Sequence, residues 1–321
     1  MPKRFARVLA VLALSGLSAV ACGSGDAPPP SPEPRPAPEK AEIRVGFVPL
    51  ADAAPFFIAL RKGYFTEEGL TVRAVGVTGS GMAVPPLEAG RLDVVQTDYV
   101  TTFVADAAGK SLQVAGVMAE AGEETYGLVV PEDSPITSVR KLKGRTVAVN
   151  NLNGLAAMTV QGMLKDAGLD AHDVRFAEVP FPEMSRRLKA GDVDAAWAGE
   201  PFVSGPEGLR RLTDPVPGRL QGWPTSGWMV TEKWRAENPR TLAAFQRALA
   251  RAQRVAADRK EVEAVLPTYT KLSPQAVARV SFGTFPTAAD PGRLQQVAGL
   301  MEKNGYLKSP LDVTSLLATT G

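Results

Sequence analysis

One cysteine and one histidine stand in a chain of 321 residues. A disulfide framework, a Cys/His zinc site and any chemistry that needs a pair of either residue are therefore excluded, and no metal or cofactor is expected. An excess of one charge is lacking too. The 36 Lys and Arg nearly cancel 34 Asp and Glu, for a net charge of +2, so the basic stripe of a nucleic-acid binder is missing and no nucleic-acid partner is expected. No apolar run reaches the ~20 residues of a spanning helix. What is present is ordinary globular usage, 45% hydrophobic and 22% charged with 30 Gly and 27 Pro, which excludes a disordered, collagenous or coiled-coil chain. At ~100 to 200 residues per domain, the length suits about two domains.

The N-terminus reads as an export signal over residues 1–21. Lys3, Arg4 and Arg7 precede an apolar stretch that ends in Ala19-Val20-Ala21-Cys22, the order of charged, apolar and small-residue regions in a secretory signal. Cys22 follows the small residues as in the lipobox of bacterial lipoproteins, which it resembles, with Ala19 where Leu is usual. Gly23, Ser24, Gly25 and Asp26 and the proline-dense residues 28–38 then form a tether over 22–41, a flexible hinge followed by a semi-rigid spacer. A lipid on Cys22 and a place on the extracytoplasmic face of a bacterial cell membrane are the expectation.

Beyond the tether, short apolar runs alternate with amphipathic stretches, the pattern of an α/β protein with mainly parallel sheets. Strands are predicted to begin near Ile43, Thr71, Asp93, Leu112, Gly127, Arg145, Val174, Asp194 and Ser226. Asp52 with Pro55 opens one helix and Gly63 ends it; another occupies 154–167. Asn238-Pro239, Ser273-Pro274 and Asp290-Pro291 are three cap-plus-proline starts. Seams near 125–131 and 223–230 divide the chain into a discontinuous first lobe, 42–127 with 229–321, and a second lobe, 128–228.

Four stretches carry a family likeness: IRVGFVPLADAAPFFIALRKGYFTEEGLTV from Ile43, YGLVVPEDSPITSVRKLKGRTVAVN from Tyr126, KDAGLDAHDVRFAEVPFPEM from Lys165 and LKAGDVDAAWAGEPF from Leu188. In this order the chain resembles the nitrate-, sulfonate- and taurine-type substrate-binding proteins of ABC importers, a superfamily that includes binders of thiamine pyrimidine precursors. The resemblance implies a bilobed periplasmic-binding fold of type II, two Rossmann-like lobes joined by two hinge crossings. It also implies a monomer that serves an ABC permease and its ATPase.

Ligands of open α/β sheets bind beyond the carboxyl ends of the strands, which directs attention to the loops there. Asp52 suits a ligand acceptor or a helix cap. Thr78 and Ser80, in the loop Gly76-Val77-Thr78-Gly79-Ser80-Gly81, offer hydroxyls, although the spacing matches no nucleotide motif. Asp98 and Tyr99 end a strand. Asn150 and Asn153 open a helix as ligand contacts or turn residues, and Glu200 before Pro201 is a ligand acceptor or a hinge anchor. Trp223 and Trp228 bracket the second seam with faces for stacking, whereas Trp197 reads as core, and Tyr126 as hinge or core. His172 sits in a polar turn, and no Gly-x-Ser-x-Gly is present, so catalysis is not expected. An enzyme on the same scaffold, such as a pyrimidine synthase, or a sensor domain are the alternatives to transport. These loops hold carboxylates and rings but no Lys or Arg, which favours a neutral or cationic, heteroaromatic or amine ligand over its rivals, a sulfonate or nitrate.

Two acyl chains give stable membrane attachment where one is marginal. Cys22→Ala should therefore release the protein into the medium or leave it unprocessed. A variant that fractionates with membranes at its normal mature size would show that no lipid on Cys22 holds it.

Overall fold

The structure is a computed structural model that describes residues 36–213 and 220–318. The signal, Cys22 and the tether as far as residue 35 lie outside the described residues. Among the described residues ten strands form two five-stranded sheets: β1 Glu42–Phe47, β2 Thr71–Gly76, β3 Val94–Asp98, β4 Leu112–Glu120, β5 Tyr126–Pro131, β6 Thr146–Val149, β7 Arg175–Glu178, β8 Ala195–Gly199, β9 Leu209–Thr213 and β10 Pro224–Thr231. The first sheet has the order β2-β1-β3-β10-β4 and the second β7-β6-β8-β5-β9. β10 runs antiparallel to both β3 and β4, and β5 antiparallel to both β8 and β9, while the β1 and β6 pairings are parallel. Each sheet thus holds one reversed strand, and it is the strand that arrives from the other lobe.

Eleven α-helices are described: α1 Ala54–Arg61, α2 Tyr64–Glu67, α3 Ser80–Glu88, α4 Tyr99–Ala107, α5 Leu155–Asp166, α6 Phe181–Ala190, α7 Glu232–Glu237, α8 Pro239–Val255, α9 Arg259–Val265, α10 Pro274–Val277 and α11 Pro291–Lys303. Among the described residues none is long and apolar enough to cross a membrane. Gly63 ends α1 at φ 74°, a left-handed conformation that costs glycine little. Ser273 and Asp290 cap α10 and α11 by accepting from Ala276 N and Arg293 N. Asn238 does not cap α8 with its side chain; its amide donates instead to Trp234 O in the preceding helix. Helix α8 buries Leu242, Phe245, Leu249 and Ala252, a three-and-four spacing that puts one stripe against the first sheet.

The two-lobed α/β fold agrees with the type II periplasmic-binding expectation, with three differences of detail. The sheets are mixed rather than mainly parallel. Strand β9, Leu-Arg-Arg-Leu-Thr, escapes the sequence pattern because two adjacent arginines break the alternation, while Arg210 spends its guanidinium on the carbonyls of Ser134 and Ile136. And β10 begins at Pro224 and pairs in the first sheet throughout, so the segment 224–228 belongs with the first sheet and not with the second lobe of the sequence boundaries.

In the first lobe Trp228, Phe56, Phe65 and Phe245 form one aromatic group, with Trp228 5.0 Å from Phe56 and Phe245 5.5 Å from Phe65 between centroids. Phe245 is fully buried. Phe245→Ala should destabilise by about 3–5 kcal/mol through lost transfer energy and a residual cavity, whereas Met82→Ala, at an exposed position, should change stability by less than about 0.5 kcal/mol. Denaturant unfolding of both variants checks the contrast.

Candidate functional site

The strand ends of the two sheets meet around a buried cavity of about 20 Å³, room for about one water molecule. From the first sheet it is lined by Val48, Leu50 and Asp52 after β1, Gln96 and Asp98 at the end of β3, Ser80 at the start of α3, and Thr225 and Ser226 of β10. From the second sheet come Tyr126 of β5, Asn150 after β6, Leu155 and Phe181 at the starts of α5 and α6, and Trp197 of β8. All of them are buried. The lining holds two carboxylates and no Lys, Arg or His.

Asp52 lies within the short 3-10 turn Ala51–Ala53 and caps nothing. Its Oδ2 accepts from the Tyr126 hydroxyl at 2.6 Å and from Ser226 Oγ at 3.2 Å. Burial raises its pKa, and hydrogen bonds from Tyr126, Ser226 and Thr225 oppose that rise. Burial, with the Asp52 charge beside it, pushes the Tyr126 hydroxyl well above its ordinary value, so Tyr126 is a standing donor. Its ring stacks on Trp197 at 5.0 Å. Trp197 is 2% exposed, and its Nε1 has no hydrogen-bond partner among the described residues. Gln96 is tied by Val48 N, which donates to its Oε1 at 2.8 Å.

Asp98 caps α4, accepting from Thr101 N at 2.8 Å and Thr101 Oγ1 at 2.7 Å. Its backbone N donates to Ser80 Oγ. Four of the ten expected site residues, Asp52, Ser80, Asp98 and Asn150, therefore line the cavity. The other six lie outside it. Thr78 and Asn153 are exposed, one before the turn of α3 and the other in the turn into α5. Tyr99 points into the first lobe, its hydroxyl without a partner among the described residues. Trp228 is packed under Phe56 in the first core, and Trp223 stands in the turn before β10, beside Arg293. Trp228 departs because its side chain joins the first lobe's aromatic group, and Trp223 is half-buried at the surface.

Glu200 belongs to the crossing rather than to the cavity. Its backbone N donates to Thr125 O and its carbonyl accepts from Ala51 N, both at 2.8 Å. Oε2 accepts from Ser204 N and Oγ, while Oε1 has no partner among the described residues. His172 is exposed, between α5 and β7. Sequence reasoning missed Gln96, Tyr126, Thr225, Ser226, Phe181 and Trp197 as cavity residues. Gln96 and Ser226 stood near strand ends and were legible there; Trp197 lies inside an apolar strand that reads as core.

Known proteins bear on this arrangement. The NMT1-like family matches residues 36–268. The chain belongs to the NMT1-like family. It is 25% identical over 301 residues to the nitrate import ATP-binding protein NrtC of Synechocystis, covering 84% of this chain and 43% of that one. It is 24% identical over 241 residues to the nitrate/nitrite binding protein NrtA of Nostoc, covering 67% and 54%. The chain thus spans about half the length of these curated relatives. Among solved structures, the alkanesulfonate-binding protein SsuA from Xanthomonas axonopodis pv. citri, bound to MOPS, superposes with a TM-score of 0.74 at 18% identity over 87% of this chain and 98% of its own. That likeness is one of fold, and it accords with a bilobed NMT1-like chain whose strand ends face each other.

Burial raises the Glu200 carboxyl from 4.5 to about 7, against the opposing bonds from Ser204. Between those values the folded chain keeps a proton that the unfolded chain has released, so stability is greatest below the lower value and falls as pH rises toward the upper one. Glu200→Gln should lose this slope, so that its stability relative to the parent rises by about 2–3 kcal/mol between pH 4 and pH 8. Denaturant melts from pH 4 to pH 8 test it, and a parental slope that survives in Glu200→Gln would assign the effect elsewhere.

Proposed function

We propose that this chain is an extracytoplasmic substrate-binding protein that captures a small molecule between its lobes and delivers it to an ABC importer. In this reading it is a monomer held at the membrane by a lipid on Cys22, and its ligand is neutral or cationic, a heteroaromatic or amine compound. In this reading it is a binder and not an enzyme: the cavity lining holds no histidine, and the Asp52 carboxylate that accepts from Ser226 is shared with the Tyr126 hydroxyl. Relatives named as nitrate importer and nitrate-binding proteins support the transport role.

The observation that carries the ligand reading is the charge of the lining. Asp52 and Asp98 face a buried space to which no lining residue brings a positive charge. An anion there would meet like charges at low dielectric. A cation or an N–H donor finds an acceptor in Asp52, and Tyr126, Trp197 and Phe181 supply flat faces. Nitrate or an alkanesulfonate is the second reading, favoured by the names of NrtA and SsuA and opposed by this lining. The cavity is smaller than any organic ligand, so entry requires the lobes to part and close again, which is the conformational signal a permease reads.

Thermal-shift screening of aminopyrimidines, alkylamines, taurine, alkanesulfonates and nitrate tests the assignment. Ligand at a hundredfold excess over Kd should stabilise by ~2.7 kcal/mol. Stabilisation by neutral or cationic compounds is expected, with affinity reduced about tenfold or more in Asp52→Asn. Stabilisation by nitrate or sulfonates alone would overturn it.

A further inference from the structure

Helix α5 opens the second lobe's side of the cavity, yet its own sequence gives it no cap. The N-cap position is Gly154, which has no side chain to accept from the first-turn N–H groups. The missing acceptor comes from the other lobe. Leu155 N donates to Asp98 Oδ1 at 3.1 Å, the same oxygen that accepts from Thr101 N at the start of α4. One carboxylate thus caps two helices that belong to two different sheets. A second bond runs beside it: Asn151 Nδ2 donates to Thr101 Oγ1 at 2.9 Å, and that hydroxyl donates to Asp98 Oδ2. Every group in this chain of bonds is buried.

The backbone is shaped to permit the approach. A Cβ on Gly154 would stand 2.9 Å from Thr101 Oγ1, and one on Gly81 3.0 Å from Asn151 Nδ2, so side chains at these points would hold the lobes apart. The positive end of the α5 dipole meets a negative charge supplied by the chain itself. Charge-assisted bonds of this kind are among the stronger ones a protein makes.

We propose that Asp98 is the closure latch of this protein, a positioning residue that holds the second lobe against the first by capping α5 across the cleft. The latch stands on the two-lobed arrangement, and it deepens the binding reading above by naming the group that sets how readily the cleft shuts. It also places a fixed carboxylate at the start of α5, one of the helix ends that line the cavity.

The test uses Leu155→Pro. Proline at the first helical position suits the helix, the extended backbone of Gly154 at φ −125° and ψ −176° suits the residue before a proline, and beyond the loss of the Leu155 side chain the substitution removes the N–H that reaches Asp98. Leu155→Ala, which trims the side chain and keeps the N–H, is the control. Spin labels on cysteines replacing the exposed Ala236 of α7 and Ala190 of α6, in the exported chain carrying Cys22→Ser, report the distance between lobes with no ligand added. Leu155→Pro should lower the ratio of closed to open molecules about tenfold relative to Leu155→Ala. Asp98→Ala should do the same, and Asp98→Asn, which keeps an oxygen acceptor, should recover part of the closure. Equal distance distributions in Leu155→Pro and Leu155→Ala would overturn the latch. Titration of the parent with nitrate and methanesulfonate separates the two readings: tight binding of either contradicts the ligand assignment and leaves the latch to be decided by the distances.

Discussion

Asp52 is the point on which the two lobes converge. Its carboxylate takes one hydrogen bond from Tyr126, the first residue of β5, and one from Ser226 in β10. These are the two strands by which the chain passes between lobes, so a single buried acid registers both crossings against the loop that follows β1. A carboxylate removed from water costs several kcal/mol unless hydrogen bonds compensate, and here the donors come from the elements whose positions matter. The first lobe, the second lobe and the cavity wall are thereby fixed to one group.

Much of this was legible in the chain. Strands β1 to β8 and β10 follow from apolar runs bounded by turn residues, and the Ser-Pro and Asp-Pro pairs at 273–274 and 290–291 start helices as capping chemistry requires. Asp98 and Asn150 stood out because polar residues at the end of an apolar strand face the edge where open sheets bind. What sequence could not give was direction. Asp52 has the position of a helix cap, and only the fold shows it turned toward Tyr126. Trp228 flanks a crossing in sequence yet packs on Phe56, while Trp197, inside the run Ala-Ala-Trp-Ala-Gly, reaches the cavity wall because alternate residues of a strand face opposite sides. The trans cap on α5 was invisible for a similar reason: Asp98 and Leu155 are 57 positions apart, and no local pattern links them.

The names of the relatives include nitrate, whereas the cavity lining here carries two carboxylates and no Lys, Arg or His. A family likeness of 24–25% identity preserves a scaffold of two sheets and a hinge, which depends on many apolar positions. The charge of a small cleft depends on a few side chains and changes without disturbing that scaffold. On the reading proposed above, acids at the end of β3 and in the loop after β1 would give an NMT1-like chain the opposite electrostatic preference from an anion binder.

The most direct measurement of that claim is the charge of what the protein selects. The purified chain is dialysed against a metabolite extract containing added nitrate and methanesulfonate, washed, and denatured, and the released molecule is identified by mass spectrometry. The account predicts enrichment of a compound that is neutral or cationic at pH 7 and its loss in Asp52→Asn. Enrichment of nitrate or a sulfonate would contradict it.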